Sequence, residues 1–248
     1  MRKVICIVAA LVILGLGLSM FGQAPVAKDK PKVAALLFRE DFKAGKDHEV
    51  QFTGDLLTNP NLELKKYGPG AKPGSTDQSG LLISNEMDPA TGKMQSLVWT
   101  GVVQAPWAVM LKDKNNLLDL RDTGKVHWRV RPRQFHDLRL LIKLTDGTLL
   151  AADYAEPGST YSREDEFFLS DVPRWRTINP ETMAEGKPKP GEGIWTMNVD
   201  LSKVDEIGFT DLMAGAGHGA LGGNTAVDWI EVYGQPVKRG VVNSSQVR

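Results

Sequence analysis

The side chains with the most chemistry to offer in this sequence are six tryptophans, four histidines and a carboxylate near the C-terminal end. An indole ring can stack on the apolar face of a sugar through the same area burial that drives other aromatic contacts. Trp107 follows Pro106, and Trp175 stands between Arg174 and Arg176, so these two rings are expected to reach the surface. Tyr161 and His218 are expected to join them from loops as ligand contacts. Core packing is the competing reading for each ring, and Trp128 is read as core. His218 lies in Met213–Asn224 (MAGAGHGALGGN), where five glycines let a ligand or another backbone approach closely. That loop has no Gly-Lys-Ser/Thr and leads to a strand, which sets it apart from a phosphate loop. His127 and His136, near Asp137 and Asp153, show no spacing that a metal or an acid–base pair requires. There is no Gly-x-Ser-x-Gly. No catalytic constellation is assigned, and the reading leans away from an enzyme.

The carboxylate is Asp228, in Ala226–Gly234 (AVDWIEVYG). Alternation puts Asp228, Ile230 and Val232 on one face and Trp229, Glu231 and Tyr233 on the other. Ile230 and Val232 are core types, so Asp228 is expected to point inward. A buried carboxylate needs amide donors, an arginine or a cation.

The elements that must position these groups are short strands. They are expected at Glu49–Thr53, Leu81–Ser84, Ser96–Val103, Ala108–Lys112, Lys125–Arg131, Leu138–Thr145, Leu149–Tyr154, Glu166–Leu169, Ile194–Asp200, Glu206–Thr210 and Ala226–Tyr233, after a first element in Val33–Phe42. Many short strands at this spacing indicate a sandwich or barrel. In Lys125–Arg131, Val126, Trp128 and Val130 alternate with Lys125, His127, Arg129 and Arg131. In Leu138–Thr145, Leu138, Leu140, Ile142 and Leu144 form a row, with Leu141 as the exception. Asp146-Gly147 then predicts a type I′ turn into Leu149–Tyr154. Pro60–Lys66 and Pro180–Ala184 read as a helical turn or two. Lys65–Gly80 and Asn179–Gly193 read as long loops, which are often functional.

From Trp195 to Gly234 the chain combines WTMNVDLSKVDEIGF, a glycine-rich loop and VDWIEVYG. This segment resembles the closing half of galactose-binding-like jelly rolls, the fold of many carbohydrate-binding modules. Leu37–Phe42 (LFREDF) resembles their first strand. The resemblance implies an all-β jelly-roll β-sandwich of two antiparallel sheets with few short helices. It also implies a structural Ca²⁺ near the first and last strands, for which the matching positions are Glu40, Asp41 and Asp228. Hard oxygen ligands of this kind suit that ion. The alternative is that Glu40 and Asp41 are solvated and Asp228 bonds to backbone amides. Glu206–Asp211 (EIGFTD) resembles the E-I-D-x-x-E strand of laminarinase-like glycosidases, but Gly208 replaces the middle Asp and Asp211 has the wrong parity with Glu206.

Residues 1–24 have the form of an export signal: Arg2 and Lys3, then the apolar Val4–Leu18, then the small residues Gly22 and Ala24. The apolar run is short for an uncleaved anchor, which takes about 20 residues. Residues 25–32 read as a flexible leader, 33–236 as one domain and 237–248 as a frayed tail. Cys6, the one cysteine, would leave with the signal, so the exported chain has no disulfide, thiol nucleophile or Cys-ligated zinc. The full chain has 30 basic and 30 acidic residues, and loss of Arg2 and Lys3 leaves a net of −2. That balance gives no electrostatic footprint for nucleic acid. The sequence therefore points to a secreted or periplasmic, non-catalytic β-sandwich that binds a glycan or similar polar ligand, without stable membrane insertion once the signal is gone. A secreted glycoside hydrolase and an envelope-associated interaction protein are the alternatives.

Overall fold

Side-chain alternation along the chain resolves into two facing antiparallel sheets. The computed structural model describes residues 33–43, 49–71, 81–99, 105–133, 136–184, 195–212 and 225–240. The expected signal, the leader, His218 with its glycine loop and the end of the tail lie outside the described residues.

The first sheet runs in the order β2 (Glu49–Gln51), β4 (Leu82–Met87), β5 (Met94–Trp99), β15 (Thr225–Lys238), β8 (Lys125–Pro132) and β11 (Arg163–Phe168). The strand β1 (Ala35–Glu40) pairs with β15 beyond the end of β5. The second sheet runs β3 (Leu62–Tyr67), β6 (Trp107–Asp113), β14 (Val204–Asp211), β9 (Leu138–Leu144), β10 (Leu149–Glu156), β12 (Trp175–Ile178) and β13 (Trp195–Thr196). The short β7 (Asn116–Asp119) touches β14 at Val204 and pairs with the end of β15 from Gln235 to Lys238. Among the described residues the helical structure is limited to 3-10 turns of three residues. The expected all-β jelly-roll sandwich is the observed class.

The core between the sheets is filled from both sides. Val126, Trp128 and Val130 of β8 meet Leu138, Leu140 and Ile142 of β9 in one buried cluster. Trp128 lies edge-on to Phe167 at 5.4 Å. Leu141, the exception in the leucine row, is also fully buried, but in a separate cluster on the outer face of the second sheet.

Several elements differ from expectation, each for a local reason. The segment Pro60–Lys66 holds no helical turn of the expected kind; from Leu62 it is strand, with Leu62 and Leu64 alternating with Glu63 and Lys65 and pairing with β6 from Leu62↔Asp113 to Tyr67↔Ala108. The Asp146-Gly147 hairpin forms, but not with a type I′ turn. Gly147 has φ 90° and Asp146 does not share a positive φ. Gly147 N–H donates to Leu144 O at 3.0 Å and Leu144 N–H to Thr148 O at 2.9 Å, so the loop has three residues, with glycine in the left-handed position of a bulged turn. The tail does not fray at 237: β15 continues to Lys238, and Arg239 bonds the Asp205 carboxylate.

A bulge also changes β15. Val227 and Ile230 both lie in the core cluster, although they are three residues apart and strict alternation would separate them. The ladder shifts between Val227↔Val130 and Trp229↔Arg129, so Asp228 and Trp229 together oppose Arg129. The extra residue turns Asp228 away from the Ile230 face, against expectation.

Candidate functional site

Asp228 is nevertheless only 4% exposed, because a hairpin covers it. The β5 strand pairs with β15 at two positions, while β4 and β5 stay paired out to Met87↔Met94. The outer half of this hairpin leaves the sheet, and its turn reaches across to β8. There Asp88 accepts a 2.5 Å bond from Arg129, and Glu86 pairs with Arg131 and Arg133. Arg129 Nε lies 3.2 Å from Asp228. Arg129, helped by the Ala90 amide and the Thr91 hydroxyl, holds Asp88 down at about 2. Burial pushes Asp228 up to about 6, against the pull of Arg129 and Arg131.

The other two expected Ca²⁺ ligands face donors. Buried Glu40 accepts bonds from the Phe42 amide (2.8 Å), the Thr58 amide (2.7 Å) and hydroxyl (2.8 Å), and the Asn59 amide (3.0 Å). Asp41 is exposed and pairs with Arg39 at 2.6 Å. A cation site needs oxygens turned toward a shared point. Glu40 and Asp41 are instead spent on separate N–H and O–H groups, and Asp228 faces the Arg129 guanidinium, so the three do not turn toward one point and do not fit the ion. Among the described residues, no group of three or more His, Cys, Asp or Glu side chains is placed to hold a metal.

The expected aromatic platform is not assembled. Trp107 is fully buried and edge-on to Phe209 at 6.0 Å, and Trp175 is 3% exposed. Both begin strands with the ring turned inward: Trp107 shares the core face with Val109 and Leu111, and Trp175 lies between two outward arginines. Tyr161 is 59% exposed on the loop before β11. A shallow cavity of about 400 Å³ nearby is lined by Arg133, Ser159 and Thr160.

The two outer faces differ. On the first sheet, Glu231 is held by Arg39 (2.6 Å), Tyr233 (2.8 Å) and His127 (3.1 Å), and Trp229 is covered by Arg39 and His127. Its polar groups are closed on one another. On the second sheet, the outward side chains are apolar at the centre: Ala108, Met110, Leu141, Leu149, Ala151 and Ile178. Residues 179–184 lie against this patch as a strap folded back on itself, with Asn179 N–H donating to Ala184 O at 2.9 Å and Met183 N–H to Asn179 O at 2.7 Å. Met183, at φ 56° and 3% exposed, plugs the patch. Gly68 N–H donates to Pro180 O at 3.0 Å, and a Cβ on Gly68 would stand 2.4 Å from Met183 Cγ and 2.6 Å from the Pro106 carbonyl oxygen, so only glycine fits beneath the plug.

At the margin of the strap lies a cavity of about 390 Å³ lined by Arg139, Arg176, Thr182, Met183, Pro106 and Leu212. Arg139 projects from β9 and donates to the carbonyls of Ala152 (3.3 Å) and Asp153 (3.2 Å). Those carbonyls fall where the β9–β10 ladder is irregular, between Ala151 and Ala155. Arg176 projects from β12, its guanidinium 4.4 Å from the Trp195 ring centre, and Arg174 makes the same contact. Nearby, Glu206 is buried under the Tyr67 hydroxyl (2.9 Å) and Lys143 (3.2 Å). Asp211, at the end of that strand, bonds His136 and Thr225. This cavity offers rigid donors beside apolar walls, an arrangement that binds a polar ligand with some hydrocarbon surface. Sequence reasoning missed it. Reading Arg174-Trp175-Arg176 as a strand would have placed the tryptophan inside and both arginines outside.

No family model matches this sequence, and no curated protein matches it. Among solved structures, the chain is similar to the family 11 carbohydrate-binding module of the cellulosomal cellulase Lic26A-Cel5E of Clostridium thermocellum, at 14% identity over 82% of this chain and 96% of that one, with a TM-score of 0.43. It is also similar to a family 11 module from Clostridium thermocellum in complex with a β-1,3-1,4-mixed-linked tetrasaccharide, at 12% identity over 77% of this chain and 98% of that one, TM-score 0.42. An exo-β-agarase matches at 10% identity and TM-score 0.38, with 77% of this chain spanning 25% of the enzyme.

Proposed function

We propose that this protein is an exported, non-catalytic β-sandwich that binds a carbohydrate. The observation that carries the reading is the cavity on the outer face of the second sheet. Arg139, Arg176 and Thr182 supply donors there, and Pro106, Met183 and Leu212 supply apolar wall. A sugar ring presents hydroxyls around its edge and C–H groups on its faces, so it can satisfy both kinds of lining. The cavity volume falls in the range of small-ligand sites. Export, to the periplasm or beyond, rests on the charged start and apolar run of residues 1–24.

The hydrolase alternative needs two carboxylates facing one cleft about 5–9 Å apart. Glu206 is instead fastened to Tyr67 and Lys143, and Asp211 to His136. No carboxylate stands among the described lining residues.

A glycan array probed with the exported chain tests the reading. Retention of at least one glycan class, without release of reducing sugar, is the expected result. A blank array removes it, and release of reducing ends turns it to the hydrolase.

A further inference from the structure

We infer that Met183 fills a second sugar seat on the outer face of the second sheet, and that residues 179–184 lift from it as one body when a neutral glycan longer than a single ring enters the adjoining cavity. This rests on the carbohydrate reading above and adds to it a site hidden by the chain itself.

The seat is apolar and has a rim. Met110 on β6, Leu141 on β9 and Ala151 on β10 form its floor, and Tyr67 packs against its edge. The ladders place Gly208 between Met110 and Leu141, where it adds no side chain. An apolar floor with an aromatic ring beside it suits the C–H face of a pyranose. Here the Met183 side chain covers that floor. Methionine is an unbranched, adaptable filler, so it can occupy a site shaped for something else.

The strap that carries Met183 is bound mainly to itself. Beyond its two internal backbone bonds, the Asn179 side chain accepts from the amides of Glu181 (2.8 Å) and Thr182 (3.3 Å). Among the described residues, its backbone bond to the rest of the domain is the one from Gly68 N–H to Pro180 O. Met183 also holds a left-handed backbone conformation, which a residue with a side chain adopts at a cost. Lifting the strap breaks one backbone bond, keeps the internal ones and lets Met183 relax.

Cavity and seat share a partition. Met183 belongs both to the cavity lining and to the cluster that fills the seat. A glycan with one ring in the cavity must displace that side chain to place its next ring. The displacement weakens binding, because the apparent dissociation constant is the intrinsic one divided by the open fraction.

Amide exchange of the exported chain, followed by NMR, tests the release before any glycan is added. Gly68, whose acceptor belongs to the strap, should exchange about tenfold or more faster than the core amides of β8, through opening short of global unfolding. Met183, bonded within the strap, should stay better protected than Gly68. Cellotetraose, xylotetraose, mannotetraose and a β-1,3-1,4-mixed-linked tetrasaccharide are then titrated, each beside its monosaccharide. At least one tetrasaccharide should bind and speed Gly68 exchange by about threefold or more, which its monosaccharide should not do. Met183→Ala should tighten binding of that tetrasaccharide by about threefold or more and leave the monosaccharide unchanged. Tm and near-ultraviolet dichroism report whether the variant folds, and the exchange measurements on the unmutated chain decide the matter if it does not. Gly68 protection equal to that of β8, Gly68 exchange that slows or stays constant with a tetrasaccharide bound, or a folded Met183→Ala that binds no tighter overturns the inference and leaves the carbohydrate reading intact. Binding of none of the tetrasaccharides also overturns it, and the glycan array decides the carbohydrate reading separately.

Discussion

Asp228 and Arg129 meet at 3.2 Å where β15 bulges, with two residues of β15 set against one arginine. The same guanidinium holds Asp88 at 2.5 Å from the turn of the covering hairpin. One arginine thus clamps a hairpin to a strand it does not belong to, and it leaves Asp228 buried with less than full compensation.

A pH dependence follows. Burial raises Asp228 from 3.8 to about 6. A carboxyl raised on folding contributes stability below its unfolded value and loses it as pH climbs through the folded value. Stability should therefore fall between pH 4 and 6, by an amount on the order of 3 kcal/mol if this group acts alone. Asp228→Asn should flatten that slope and raise Tm at pH 7.5. Urea titrations across this range check it, and an unchanged slope in the variant would refute the assignment.

His136 gives a second window. Its bond to buried Asp211 raises the imidazole above its usual 6.5, against the opposing effect of burial. Its contribution is present below pH 6.5 and lost as pH rises through the higher folded value. Asp211→Asn should bring the His136 titration down by a measurable amount in NMR and remove this part of the pH profile.

Trp107 separates packing from binding. It is fully buried against Phe209. Trp107→Phe should lower stability by about 1–3 kcal/mol through loss of packed volume, as large-to-small core changes do. Glycan affinity should stay within about twofold, since the ring is not among the lining residues of the cavity beside the strap. Calorimetry on the folded variant distinguishes this from a ligand platform, which would lose affinity.

Gly68 tests the strap. A methyl there meets Met183, and φ is +85°. Gly68→Ala should cost about 1–3 kcal/mol. It should also speed hydrogen exchange in residues 179–184 more than in β8. Uniform acceleration across both would mean that the strap has no separate seating.

Glu40 tests the metal expectation. Four donors converge on its carboxylate. Glu40→Ala would strand those donors, at about 1–3 kcal/mol for each one left without water. Chelator should leave Tm of the unmutated protein in place. A Tm that drops with chelator and returns with Ca²⁺ would contradict the geometry.

The strands with strict alternation were legible in the sequence. Lys125–Arg131 and the Leu138 row became β8 and β9 because period two leaves one reading of which face is buried. What alternation cannot register is a bulge. One unpaired residue at Asp228 shifts a face, and the only local cue is Val227 and Ile230, two core types three apart. Short segments failed for a different reason. Leu62–Tyr67 carries two turns' worth of charge and follows a proline, so helix and strand fit it equally until β6 supplies a partner. The arginine cavity was hidden because β9 and β12 are 30 residues or more apart in sequence, and their pairing through β10 is a tertiary fact. Tryptophan drew the eye to surface stacking, whereas Trp107 and Trp175 fill the core and the arginines beside Trp175 face outward.

β15 belongs to both sheets: from Thr225 to Tyr233 it pairs with β8, and from Gln235 to Lys238 with β7. A segment woven into both layers denies either layer an independent exit from the native state. Tension applied at the C-terminal end would load both ladders at once, in series along one backbone. The sandwich is thereby sewn shut by its last strand, and melting should proceed as one event in which the layers part only when that seam tears.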